Sequence, residues 1–432
     1  MDSIYAQSFR TLVWLGQAYT SVAKTALNRV CELVDNWQGN HAATYRIADI
    51  PNNKTSIHKF AVSEGVDENA SWTALQTLFN SDWFQRRWVI QEVVNSNTLE
   101  VLWGSASIPW AFIGIAAAIL RTQNNNTVDK LMMFNVYNAY LMFRLRPQGS
   151  LKPLRPTFLQ LLRLSGHFKT SETHDHFYAL LGIQTTDNLP GVQPILQANY
   201  SLKRSDLCRQ LTEKFLQSKR PLSFLSEVSY RDFRFMRGKR NNWYPSWVPT
   251  WTGRRPPLLS PWDLDNRFDS SKKFPFTRHF DFDIPESDLA VDGVVFSTIM
   301  WVGDLDPDWI LNARYILQLL DTGAFGSPSA DTLSAISCAL RAGRDAYGSR
   351  ESSGNSYLAH FAALLCNNAP EGSTLAVLEV ARPLALNGDA EEFIQAADKV
   401  RTGRSIFVTL GGHVGLGPCK QGPDMNTFWN IC

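Results

Sequence analysis

The chain has 432 residues, 44% hydrophobic and 19% charged, a globular composition long enough for a large buried core and two or three domains. Its 42 Lys and Arg against 40 Asp and Glu leave a net charge of +2, so no global imbalance points to nucleic acid or acidic lipid as a partner. The six cysteines have no Cys-x-x-Cys spacing, which excludes a disulfide scaffold and makes a reducing, cytoplasmic compartment the expectation.

In chain order, Met1 to Ser8 reads as the tail of a helix, and Thr11 to Gly16 as a short buried strand ending in glycine. Tyr19 to Trp37 is an amphipathic helix, and residues 38–70 are a long polar connection. Ala70 to Asn80 is helical again. The aromatic-dense run Trp83 to Val94 follows, then a strand over Leu99 to Gly104. Ser107 and Pro109 suit the cap and first turn of a helix that runs to Leu120. Helices are predicted at 128–145, 157–165 and 175–181, the last capped by Asp175 and stopped by Gly182, and over Tyr200 to Gln217. No apolar run is long enough to cross a membrane, and the N-terminus has no secretory pattern.

From residue 230 the chain turns rich in Pro, Trp, Arg and Phe. Leu289 to Val302 carries the strongest strand signal. Helices are predicted at 306–320, 329–346, 355–366 and 389–401. A strand over Arg404 to Thr409, a glycine turn and a second short strand close the chain.

Several clusters invite a chemical reading. His174 and His176 flank Asp175, but two His at this spacing still need a third and fourth ligand, so no metal is expected. Gly411 to Gly417 lacks the strand–glycine–helix order of a dinucleotide loop and reads as a turn. Arg231 to Arg240 mixes five cations with Phe233 and Phe235, yet one short patch in a near-neutral chain reads as a solvated loop, and nucleic acid is not expected. Trp243, Pro245, Trp247, Pro249 and Trp251 alternate, so an extended chain puts them on one face, to bind a ligand or to clamp the segment to a core. Cys208 reads as a small buried hydrophobe.

Four ordered segments carry a family resemblance. They are Met1-Asp-Ser-Ile-Tyr-Ala-Gln-Ser8 with Val13-Trp-Leu-Gly16; the block from Trp83 through Phe84, Arg86, Trp88 and Gln91 to Glu92; Asp175 through Tyr178 to Gly182; and Pro245-Ser-Trp-Val-Pro-Thr-Trp251, with Trp247, Pro249 and Trp251. In this order they resemble the fungal heterokaryon incompatibility (HET) domain family. The segments A-L-S-Y-x-W-G and W-I-D-A-L-C-I-N-Q, which precede these blocks in the family, do not occur here. The chain therefore reads as a family protein lacking the N-terminal half of its signature domain.

The resemblance implies self/non-self recognition between fungal cells and programmed cell death, with an incompatibility counterpart as protein partner. It also implies a TIR-like, doubly wound α/β segment. The expected fold is mixed α/β: the partial HET domain at 1–120, a helical region at 121–230, and a Trp/Pro-rich linker with an α+β region at 231–432. Some TIR domains cleave NAD with a glutamate. Glu92 with Arg86 is the candidate for such a role, as general base or ribose ligand; the same two residues also read as a structural ion pair. No cofactor is expected on the leading reading, and NAD on the enzymatic one. Three functions stay open: recognition by assembly, an enzyme cleaving NAD or performing a small-molecule step in a fungal pathway, and a truncated remnant without function.

Overall fold

The structure is a computed structural model. It describes residues 2–40, 67–123, 132–133, 135–147, 153–187, 195–218, 223–228, 245, 247–251, 289, 297–302, 320, 327–341, 343, 356–369, 375–401 and 404–418. These form two compact units, Met1–Leu222 and Ser223–Cys432, in a mixed α/β arrangement with two small sheets among the described residues.

In the first unit, α1 (Asp2–Gln7) leads into β1 (Thr11–Trp14), α2 (Thr20–Asn40) and α3 (Glu68–Phe79). The Asp67 side chain accepts from Asn69 N–H at 2.8 Å and caps α3. A 3-10 turn (Asp82–Gln85) precedes α4 (Val89–Asn95), followed by β2 (Leu99–Trp103), β3 (Ala106–Pro109) and α5 (Trp110–Gln123). Next come α6 (Val136–Leu145), α7 (Phe158–Leu164), α8 (Asp175–Tyr178) and α9 (Arg204–Leu216). Thr157 and Gln160 form a reciprocal capping box on α7.

The sheet order is β1-β2-β3, with β1 parallel to β2 and β2 antiparallel to β3. Val13, Leu99, Val101, Trp103, Ala106 and Ile108 are buried on one face, which packs on α2 and α5. Helix α5 is buried almost all round, and it packs on α6 at Gly114. A Cβ there would fall 2.2 Å from Phe143 Cδ2, so only glycine admits this approach.

Two expectations change here. Ser107 and Pro109 belong to β3, not to a helix start: Gly104, at φ +57°, turns the chain straight back along β2 before α5 begins. Nor is β1 a buried strand. Only Val13 is enclosed; Leu12 and Trp14 are about half exposed.

The second unit has an antiparallel sheet, β4 (Ile299–Val302), β5 (Arg404–Thr409) and β6 (Val414–Pro418), in that order. Its helices are α10 (Ala330–Leu340), α11 (Ser356–Asn367), α12 (Ala376–Leu384) and α13 (Ala390–Arg401). Phe361 and Phe393 stack at 4.9 Å in a core with Leu333, Leu378, Ile406 and Val408. Sequence pattern missed α12, whose interior Pro383 masks its apolar stripe of Val377, Leu378 and Ala381. Residues 290–296 of the strand expected at 289–302, residues 306–319 of the helix expected at 306–320, and the basic patch at 231–240 lie outside the described residues.

Candidate functional site

The Trp83–Glu92 block divides by side. Trp83 and Phe84 point into the core, where their rings meet edge-on at 5.2 Å, and Trp110 packs on both, 5.8 Å from Trp83 and 6.2 Å from Phe84. The Phe84 carbonyl accepts from Asn138 Nδ2 at 3.0 Å. These residues anchor the turn before α4.

The two arginines exchange expected roles. Arg86 is exposed, and its backbone bridges to Lys169. Arg87 is wholly buried: Nη1 donates to the Ser165 carbonyl and Nη2 to Ser165 Oγ, each at 2.8 Å. Ser165 closes α7, so this guanidinium sits where a helix C-terminus favours positive charge. The structural ion pair expected between Arg86 and Glu92 does not form as a direct contact. Glu92 feels Arg86 only through space, because Arg86 leans into solvent.

One face of α4 is stitched to the segment around α8. Trp88 Nε1 donates to Asp175 Oδ2 at 2.8 Å, Gln91 Nε2 to the Tyr178 carbonyl at 3.3 Å, and Asn95 Nδ2 to the Gly182 carbonyl at 3.1 Å. Positions 88, 91 and 95 share one helix face, and 175, 178 and 182 repeat the same spacing. Each bond spans 87 residues of sequence. Asp175 is not the cap of α8 but its first helical residue; the N-cap position is His174, which makes no side-chain capping bond. Its second oxygen accepts from Tyr200 OH at 2.6 Å. Burial and then this hydrogen bond push the Tyr200 phenol up to about 12. Tyr178 OH donates to the Asn199 carbonyl at 2.9 Å, and His174 Nε2 lies 2.8 Å from the Leu202 carbonyl. His174, Tyr178 and Tyr200 form a ring cluster over the same spot.

Glu92 lies on another side of α4, half-buried and facing α1. Burial raises its carboxyl above the ordinary range, and the Arg86 charge offsets part of that. The Tyr5 phenol is raised by burial and then by the Glu92 carboxylate. A carboxyl that holds its proton longer, beside a phenol and a cation, has the makings of an acid–base group.

Pro245 to Trp251 is not an extended ladder: Val248 N–H donates to the Pro245 carbonyl at 3.1 Å, and Trp251 adopts φ 55°. Pro249 and Trp251, which belong to the second unit, are buried and Trp247 is half-buried; Trp243 lies outside the described residues. Gly412, at φ +75°, makes the β5–β6 turn, and Gly415 and Gly417 lie within β6, so no phosphate cradle forms. Cys208 is buried in α9. Among the described residues no group of three His, Cys, Asp or Glu is placed to hold a metal, and no helix is long and apolar enough to cross a membrane.

Sequence reasoning missed Arg87, Asn95, Tyr200 and Arg146. Arg146 Nη1 donates to the Val93 carbonyl at 2.8 Å and Nη2 to the Asn97 carbonyl at 3.2 Å, at the end of α4. Burial pulls its guanidinium down to about 10. Only the shared spacing of 88/91/95 and 175/178/182 was there to be read beforehand.

Residues 1–92 match the family model described as Heterokaryon incompatibility protein (HET). The match contains the first two motif segments; those at 175–182 and 245–251 lie beyond it. None of the curated proteins and none of the solved structures matches the chain.

Proposed function

We propose that this is a HET-family incompatibility protein of a fungal cytoplasm, acting by recognition and assembly with a protein counterpart and ending in programmed cell death. The observation that carries the reading is how the most specific motif is spent. Trp83, Phe84, Trp88 and Gln91 are committed to packing and to inward hydrogen bonds. They build a rigid body and leave little of the block for chemistry. The family match at 1–92 supports the incompatibility role, and six scattered cysteines without Cys-x-x-Cys spacing suit a reducing compartment. The parallel β1–β2 pair, joined by a helical crossover, supports a TIR-like, doubly wound ancestry. The test is expression of this chain in fusing fungal strains, scored for death of the fused cells. Death with one tester strain and not another is the expected result; uniform survival with every tester overturns the reading.

A second reading rests on Glu92. Its raised pKa beside Arg86 and Tyr5 favours an enzyme that takes NAD or another small molecule, with Glu92 as acid–base group. Thermal unfolding with and without NAD separates the two. An upward shift that Glu92→Gln abolishes favours catalysis; indifference to NAD leaves recognition ahead.

A further inference from the structure

Helix α1 has six residues, too few to hold its place without ties to the rest of the chain. The carbonyls of its last turn have no partner within the helix, and two of them mark where it is fastened. The Tyr5 carbonyl accepts from Ser8 Oγ at 2.7 Å, and the Ala6 carbonyl from Asn97 Nδ2 at 2.9 Å. Helix α4 ends in the same way. Its Glu92 carbonyl accepts from Ser96 Oγ, and its Val93 carbonyl from Arg146 Nη1 at 2.8 Å.

Thr11 joins the two helix ends. Its Oγ1 lies 3.0 Å from Ser8 Oγ and 2.8 Å from Ser96 Oγ, so three hydroxyls run unbroken from the Tyr5 carbonyl to the Glu92 carbonyl. Ser96 is fully buried, where a hydroxyl that loses its partners is costly. Thr11 is itself pinned: its N–H donates to the Thr98 carbonyl at 2.8 Å, and it stands in register with Leu99 at the start of β2. Asn97 is pinned as well, because Arg146 Nη2 donates to its carbonyl at 3.2 Å. Both ties therefore run from α1 to fixed points.

What the ties align is Tyr5 with Glu92. Helix α1 packs on α4, the Tyr5 phenol feels the Glu92 charge, and Arg86, just ahead of α4, acts on both. We infer that Thr11 and Asn97 are positioning residues for the Tyr5–Glu92 pair: the hydroxyl of one and the carboxamide of the other fix how α1 lies on α4, and so where the phenol meets the carboxylate. This rests on the acid–base reading of Glu92 above and extends it to residues that act through the backbone. A misplacement of about 1 Å can cost a catalytic pair ~100-fold, which is why such ties matter.

The experiment follows the Tyr5 phenol by ultraviolet difference titration of each protein against its own Tyr5→Phe counterpart, with circular dichroism at the same pH values to follow the fold. Burial and then Glu92 raise this phenol, so in the wild type Glu92→Gln should move its midpoint down. Thr11→Val keeps the shape of the side chain and removes the hydroxyl. Combined with Asn97→Ala, it is expected to move the Tyr5 midpoint down toward the ordinary phenol value and to abolish the response to Glu92→Gln. Each single substitution should give part of the shift, so the test stands even where the double variant does not fold. Thr11→Ser keeps the hydroxyl and should titrate as the wild type. Gly114→Ala loosens the α5–α6 contact instead and should leave the Tyr5 midpoint in place. Variants at 11 and 97 that keep the wild-type midpoint and its response to Glu92→Gln overturn the inference. So does a Thr11→Ser protein that behaves like Thr11→Val, or an equal shift from Gly114→Ala. No NAD enters this titration: a melting temperature indifferent to NAD counts against the acid–base reading alone, and a Tyr5 midpoint indifferent to Thr11 and Asn97 counts against the positioning alone.

Discussion

Trp88 holds Asp175 through a 2.8 Å bond from its indole Nε1, and Tyr200 holds the other oxygen of the same carboxylate at 2.6 Å. A hydrogen bond to an ionised acceptor contributes ~1.5–3 kcal/mol. Trp88→Phe keeps the ring packing and removes the donor, so it is expected to cost about 1–2 kcal/mol in denaturant unfolding. A double-mutant cycle with Asp175→Asn should return a coupling of ~0.5–3 kcal/mol. Additive costs would mean that the bond carries no stability.

The Tyr200 phenol, pushed up to about 12 by burial and by Asp175, has a higher pKa folded than unfolded. Its contribution is therefore fully present below the ordinary phenol range and is lost as pH rises through the folded value. The ultraviolet difference titration of the wild type against Tyr200→Phe should place one phenol near 12. A difference curve centred at the ordinary phenol value would show that Asp175 does not hold it.

Adjacent arginines give a sharp contrast. Arg87→Leu leaves Ser165 without its two buried donors, and a loss of ~2–4 kcal/mol is expected. Arg86→Gln, on the exposed neighbour, should stay within ~0.5 kcal/mol. Thermal melts of the two variants decide; equal effects would contradict the division of roles.

Burial raises Glu92, so the folded state binds its proton more tightly than the unfolded chain does. Stability from this group is greatest below the unfolded carboxyl range and falls as pH rises through the folded value. Glu92→Gln should flatten that fall and make the protein more stable at neutral pH, by an amount that solvent screening of a half-exposed group keeps small. Denaturant midpoints stepped from acid to neutral pH measure it, and a variant with the wild-type slope would remove Glu92 from the account.

Gly114→Ala should cost ~1–3 kcal/mol, because the added methyl meets the Phe143 ring and α5 and α6 must part. A melting temperature equal to that of the wild type would mean that the helices yield at no cost.

Much of this was legible in the residues. The helices at 20–40, 204–216, 356–367 and 390–401 follow apolar periodicity, and Trp83 and Phe84 announce themselves as core by size. What stayed hidden was direction. Arg86 and Arg87 are identical in composition and opposite in burial, and only the 3-10 turn before α4 decides which one turns inward. Ser107 carries a cap's chemistry, yet Gly104 folds it into a hairpin first. Asp175 likewise has a cap's chemistry, but an indole donor 87 residues away competes for its carboxylate. Such long-range partners leave no local trace beyond a matched 3-then-4 spacing.

The match to a family ends at residue 92, in the middle of α4, whereas the fold has no seam there. β1 lies on one side of that point and its described neighbour β2 on the other, and Trp88 and Gln91 reach across it to Asp175 and Tyr178. A recombination breakpoint at that position would part each donor from its acceptor. Among the described residues of the first unit, the folding contacts therefore bind the matched stretch to chain well beyond it, and a cut at residue 92 is expected to leave neither side folded.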